Sequence, residues 1–227
     1  LAKKLPTVET PKRYIPFKKR VIYTGIVLLL YLTMGFIPLY GVAKTGYERF
    51  RYMQLILASE MGTLITLGIG PIVTGSIILQ LLVGAKVIEL DLTKDEDRRK
   101  YEAYQKVASF AFCFFEAFVF VSSGAIPVSR PELSLVVALQ LAASGVIIIL
   151  LDELVGKYGI GSGISLFIAA GVCKDMFIRA FNPISVEGLP AGLLPRFFHY
   201  LSVGEISKAL TAIAPIISTL LILLIVV

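Results

Sequence analysis

The sequence has very few of the side chains that usually carry catalysis or bind metals. Its 227 residues include one histidine and two cysteines, and only 17% of them are charged. Cys113 and Cys173 lie in or beside apolar runs, where a cysteine commonly acts as a small packing residue. His199 lies in an aromatic stretch and has no obvious catalytic partner. These scarcities argue against a metal centre, a disulfide framework and an enzyme active site.

Patterns for binding nucleotides or nucleic acids are also missing. Gly159, Gly161 and Gly163 form a glycine-rich stretch, but no lysine with serine or threonine follows them in Walker-A spacing. The formal net charge is +6, yet the basic residues gather beside apolar runs without interleaved aromatic residues. This arrangement is typical of cytoplasmic loops in membrane proteins. We therefore expect no cofactor and no direct nucleic-acid substrate.

Long apolar segments make up most of the chain. The chain is 56% hydrophobic and has a mean hydropathy of +0.83, outside the range of a soluble domain. We therefore predict an all-α polytopic membrane protein. Residues 21–173 are predicted to form five spans, at 21–43, 62–82, 107–126, 133–151 and 158–173.

Basic residues predict the orientation of these spans. Residues 1–20 form a lysine- and arginine-rich arm, and 86–106 form a second basic loop, so both are expected on the cytoplasmic side. Residues 174–208 are then an external connection, and 209–227 begin a sixth span. Because this last apolar run has no polar flank, we expect the sequence to be part of a longer polypeptide.

Two of the apolar segments are interrupted by glycine. Gly68, Gly70 and Pro71 predict irregular backbone followed by a helix that begins near Gly70, since proline is tolerated in a first helical turn. Beside each break lies a β-branched pair at i, i+4 spacing, and the pairs are Ile69 with Val73 and Ile164 with Ile168. From the spacing alone, ordinary helix packing explains such pairs better than a constriction does.

Glu116 is the one acidic residue inside a predicted span. An ionisable residue in a membrane is a functional candidate by default. No second titratable residue accompanies it in a neighbouring span, so a proton relay is the weaker explanation. We predict a carboxyl group that is neutral or hydrogen-bonded between helices.

Two blocks of the sequence closely resemble the archaeal SecY family. They are GTLITLGIGPIVTGSIILQLLVG at 62–84 and LLDELVGKYGIGSGISLFIAAGV at 150–172. The resemblance implies a SecY-type channel, here its first inverted-repeat half of five spans with the start of a sixth. Such a channel passes unfolded polypeptides across a membrane and releases hydrophobic helices through a lateral gate. It is not an enzyme.

The resemblance also implies roles for particular residues. The pore ring would include Ile69, Val73, Ile164 and Ile168, and the lateral gate would include Thr74 and Gln80. The plug would consist of Arg51, Tyr52, Met53, Gln54, Leu55, Ile56, Leu57, Ala58, Ser59, Glu60 and Met61. Implied partners are a SecE-type subunit, a SecG or beta-type small subunit, the ribosome, nascent secretory and membrane polypeptides, and lipid, in the cell membrane.

Two other functions fit parts of the pattern. A secondary transporter also uses broken helices, but its substrate site needs polar or charged ligands near the breaks. Here Ser162, Ser165, Thr66 and Thr74 are the only side-chain donors there. A passive anchor subunit is the third possibility, and it would not contact a polypeptide in transit.

Overall fold

The computed structural model describes residues 6–9, 11, 14–42, 62–182, 185–186 and 189–226. They form two compact units, one from the described parts of 1–47 and 60–169 and the other from those of 170–227. The helices of the described chain are α1 Phe17–Met34, α2 Gly70–Gly84, α3 Asp95–Ser122, α4 Ser134–Tyr158, α5 Gly163–Phe181, α6 Leu193–Val203 and α7 Ile206–Val226. The predicted all-α class is confirmed.

The first unit is a layer of helices around a single apolar core. In it α2 packs on α3, α3 packs on α4, and α1 also packs on α4. Among its fully buried side chains are Val27 of α1, Leu141 and Ile148 of α4, and Phe167 of α5. Close van der Waals packing of these side chains holds the helices together.

Two helices of this unit begin earlier than the apolar spans predicted from the sequence. α1 begins directly after Pro16, whose carbonyl accepts the N–H of Lys19 at 2.9 Å, so the helix includes basic residues that were predicted for the arm. α3 begins at Asp95, in a first turn with three acidic residues, which favour the positive end of a helix. Hydropathy marks the apolar part of a helix, whereas the helix itself continues into polar sequence.

The N-terminal arm is fixed to the first unit by a partly buried ion pair network. The Glu153 carboxylate accepts hydrogen bonds from Lys106 at 2.7 Å and from Lys157 at 2.8 Å. Lys157 also donates to the backbone carbonyl of Val8. The network therefore connects the arm to both α3 and α4.

Two stretches of the described chain are helical, long enough and apolar enough to cross a membrane. They are Asp95–Ser122 and Pro131–Tyr158, the second of which joins a short 3-10 turn to α4. Shorter apolar helices lie at Gly70–Gly84 and Ile206–Ile222. The predicted count of five spans stays a prediction.

The second unit contains more regular structure than the predicted external connection suggested. α5 continues to Phe181, and Ser185–Val186 then pairs antiparallel with Leu189–Pro190 in a short hairpin. α6 follows and includes His199, which lies in the predicted external connection. α6 ends at Val203, and its cap Gly204 has a φ of 82°, the left-handed value that glycine adopts readily at a helix end.

Candidate functional site

The first glycine break lies at the beginning of α2, as predicted. Gly68 has a φ of 53°, a left-handed conformation that favours glycine, and α2 begins at Gly70 with Pro71 in its first turn. The Ile69 carbonyl accepts the N–H groups of Ile72 and Val73, both at 3.1 Å. Ile69 and Val73, the first predicted ring pair, therefore flank the first turn of α2.

A carboxyl group of α3 lies against this first turn. The Thr74 side chain of α2 lies beside the Glu116 carboxyl group, and a Cβ added at Gly70 would lie 3.0 Å from Glu116 Oε2. The structure thus places Glu116 where α2 and α3 meet, and a neutral or hydrogen-bonded carboxyl group stays a prediction. It also places Thr74, predicted for the lateral gate, at the contact between α2 and α3.

Further along, α2 and α3 approach each other closely. A Cβ added at Gly75 would lie 3.0 Å from the Ser109 backbone nitrogen, so glycine permits this approach. The Gln105 amide donates to the Ser76 hydroxyl at 2.6 Å. Gln80, the other predicted gate residue, is exposed on α2. The pairing of Ser76 with Gln105 was not predicted, because those residues lie on separate helices.

The second glycine break connects α4 to α5. Gly161 has a φ of 76°, and α5 begins at Gly163. Asp152 Oδ1 accepts the N–H of Ile164 at 2.9 Å, and Thr24 Oγ1 of α1 accepts the N–H of Ile160 at 3.0 Å. Neither acceptor was predicted as a site residue. Asp152 caps α5 from the preceding helix, whereas Thr24 binds a backbone N–H inside the break from α1.

The predicted ring residues differ in exposure. Ile69 and Ile164 are partly buried against the same apolar core. Val73 is also partly buried, whereas Ile168 is 49% exposed. Among the described helices, α2 and α5 do not pack extensively against each other. On α5, the neighbouring Phe167 is buried and stacks on Tyr31 of α1, with ring centroids 4.5 Å apart.

The predicted plug, 51–61, lies outside the described residues. The described chain before residue 43 and after residue 61 pairs through its backbone. The Leu39 N–H donates to the Gly62 carbonyl at 2.9 Å, and the Leu64 N–H donates to the Ile37 carbonyl at 3.1 Å. These paired segments lie a few residues before the beginning of α2 in the chain.

The described residues contain no group of three or more histidine, cysteine, aspartate or glutamate side chains that could hold a metal ion. At the second break, Asp152 and Thr24 each accept a backbone N–H. The two predicted ring pairs lie beside separate breaks, on α2 and on α5.

Known proteins are similar to this chain in both sequence and fold. The SecY family model matches residues 63–227. The protein translocase subunit SecY of Methanothermobacter thermautotrophicus is 42% identical over 226 residues, which cover 98% of this chain and 50% of the relative. The chain therefore spans about half the length of such relatives.

Two solved structures agree with this result. Sec61 in the canine ribosome-channel complex matches with a TM-score of 0.81 and 44% identity, covering 99% of this chain and 50% of that one. A SecY structure described as showing that the plug domain stabilises the closed channel matches with a TM-score of 0.83 and 44% identity, covering 99% and 49%. The family model and these similarities together establish that the chain belongs to the SecY family.

Proposed function

We propose that this chain supplies one half of a protein-conducting channel, which translocates unfolded polypeptides and inserts transmembrane helices. The observation that carries the proposal is the pair of glycine breaks, each followed by an apolar helix with a β-branched pair at its beginning. Membership of the SecY family supports the same function. Since the chain spans half of its relatives, the other half of the channel lies in sequence equivalent to the rest of those relatives.

In this proposal Ile69, Val73, Ile164 and Ile168 contribute to an apolar pore ring. A hydrophobic constriction stops ions by dewetting, yet it binds an extended polypeptide only weakly. β-branched side chains are stiff at χ1 and suit a collar of fixed width. The lack of extensive packing between α2 and α5 supports a passage between them.

The same proposal assigns the plug to 51–61 and the lateral gate to Thr74 and Gln80. Support for the plug comes from the pairing of the described chain before residue 43 with that after residue 61, just ahead of α2. Support for the gate comes from Thr74, which lies beside Glu116 between the two helices that would form one side of it. Polypeptide segments released through this side would enter lipid.

The partners follow from the family and from the chemistry. One structural neighbour is Sec61 in a ribosome-channel complex. We propose that the present channel also binds a ribosome and that translation supplies the driving force. A SecE-type subunit and a SecG or beta-type subunit would complete the assembly. The basic arm supports an N-terminus on the cytoplasmic side of the cell membrane. The chain itself conducts and does not catalyse.

The test is resting ion conductance of the reconstituted full-length channel. Ile69, Val73, Ile164 and Ile168 are each replaced by serine, and together by glycine, and leak is measured in planar bilayers. We expect several-fold higher leak, because polar or small residues let water wet the constriction. Ile147→Ser is the matched control, since Ile147 is 45% exposed on α4 and belongs to neither break.

Unchanged leak in all ring variants would refute the ring assignment. A photocrosslinker at Val73 or Ile168 provides an independent measurement, because a stalled nascent chain should crosslink there. Absence of that crosslink favours a passive anchor subunit. Saturable uptake of a small solute by the reconstituted protein favours a secondary transporter instead.

A further inference from the structure

The connection between α4 and α5 is held by side chains from two different helices. Asp152 of α4 caps the beginning of α5 through its bond to the Ile164 N–H at 2.9 Å. The first N–H groups of a helix have no partner within the helix, so this carboxylate satisfies a donor that would otherwise be orphaned. The cap acts across the break, because Asp152 precedes it and Ile164 follows it.

The second support comes from α1. Thr24 Oγ1 accepts the Ile160 N–H at 3.0 Å while its hydroxyl donates to the Arg20 carbonyl at 2.9 Å. The hydroxyl therefore has a fixed orientation within α1, and its lone pair points at the connection. Ile160 lies inside the glycine-rich break, which has no regular secondary structure of its own.

The beginning of α5 has almost no space in which to shift. A Cβ added at Gly163 would lie 2.7 Å from Asp152 Cα, and a Cβ added at Gly159 would lie 2.8 Å from Thr24 Oγ1. Both glycines thus allow an approach that no other residue could make without displacing backbone or a bonded hydroxyl. The break is in direct contact with α4 on one side and α1 on the other.

These contacts act on the residues that the proposed function uses. Ile164 donates the capped N–H and also carries a ring side chain, and Ile168 lies one helical turn further along α5. Phe167, on the face that packs into the core, stacks on Tyr31 of α1. A shift of the α5 start by a fraction of a turn would therefore move both ring side chains together.

We propose that Asp152 and Thr24 are positioning residues that hold the α5 half of the constriction in its closed arrangement. The inference rests on the proposed channel function. It adds that closure depends on polar contacts behind the ring as well as on the ring side chains. Neither residue needs to contact a polypeptide in transit.

The test compares variants that keep or remove each acceptor in the full-length channel. Asp152→Ala and Thr24→Val remove the acceptor atom, whereas Asp152→Asn and Thr24→Ser keep an oxygen at the same place. Hydrogen exchange at 160–164 should accelerate about fivefold in the first two variants, the ratio expected for the loss of one helix cap. Resting leak should rise about two- to fivefold in the same two variants and stay near wild type in Asp152→Asn and Thr24→Ser.

Ser144→Ala is the matched control. Ser144 is a buried polar residue of α4 whose hydroxyl bonds only to the Leu141 carbonyl of its own helix. It should change neither exchange at 160–164 nor leak. If Asp152→Ala does not assemble, the comparison of Thr24→Val with Thr24→Ser still tests the positioning role.

Ile168→Ser is measured in parallel, because it distinguishes failure of the positioning role from failure of the ring assignment. Leak in Ile168→Ser, together with faster exchange but no leak in Asp152→Ala and Thr24→Val, would refute the positioning role while leaving the channel intact. No leak in any of these variants would instead refute the ring assignment itself. Equal leak in Asp152→Ala and Asp152→Asn would also refute the capping role.

Discussion

Gly145 offers a sharp test of the seam between α3 and α4. Gly145 is buried on α4, and an added Cβ would lie closer than 3.0 Å to Cys113 Sγ of α3, a separation that real side chains do not show. Cys113 is 0% exposed and its thiol bonds to the Ala142 carbonyl at 3.1 Å, so it has no free space to enter. Gly145→Ala should therefore overpack the core, at a cost of about 1–3 kcal/mol.

The measurement is the free energy of unfolding in detergent, compared with Gly156→Ala. Gly156 lies on the same helix and has nothing within 4 Å of an added Cβ, so both variants share the gain in helix propensity of about 1 kcal/mol. Gly145→Ala should be less stable than Gly156→Ala by about 1–3 kcal/mol. Adding Cys113→Ala removes the overlapping sulfur and should recover at least about 1 kcal/mol of this difference as coupling. Equal stability of the two glycine variants would refute the close approach of α3 and α4.

Two further expectations concern charged groups outside the constriction. Glu153→Gln removes the carboxylate that two lysines share, and we expect a loss of about 1 kcal/mol in unfolding free energy, since the network is partly screened. Glu102→Gln, in a pair that is mostly exposed, should have no measurable effect. In the loop before α3, hydrogen bonds from the side chain and then the backbone of Thr93 lower the pKa of Asp91 from its ordinary value near 3.8. Its stabilising contribution is therefore present above that pH and is lost as the pH falls through the lowered pKa. The amide shift of Thr93 in NMR spectra should follow this titration and become independent of pH in Asp91→Asn.

Local chemistry made the start of α2 predictable. Pro71 fits a first helical turn and Gly68 fits a positive φ, so the sequence alone placed the beginning of α2 correctly. The beginning of α3 was harder to predict. Hydropathy detects only the apolar part of a helix, and α3 begins with an acidic turn at Asp95 that lies outside that part. The role of the β-branched pairs came from family resemblance, since i, i+4 spacing is common in membrane helices.

The hydrogen bonds between helices could not be predicted from the sequence, for a physical reason. The partner of Ile164 is Asp152, on the preceding helix, and the partner of Ile160 is Thr24, on the first helix. Nothing in the local pattern of either acceptor distinguishes it from other polar residues near a helix end. Only the packing of α1, α4 and α5 brings these atoms within hydrogen-bond distance.

The two breaks share a feature that explains why glycine is the first residue of both α2 and α5. At α2, Gly70 leaves room for the Glu116 carboxyl group of α3, whose Oε2 would lie 3.0 Å from an added Cβ. At α5, Gly163 leaves room for Asp152 of α4, whose Oδ1 would lie 2.6 Å from one. The beginning of a helix carries unpaired N–H groups and a partial positive charge, so an acidic side chain is favoured there. Each helix that bears a proposed ring pair therefore begins against an acid from its neighbour. Because these acids lie on α3 and α4, which pack directly together, the position of both ring pairs depends on one shared pair of helices.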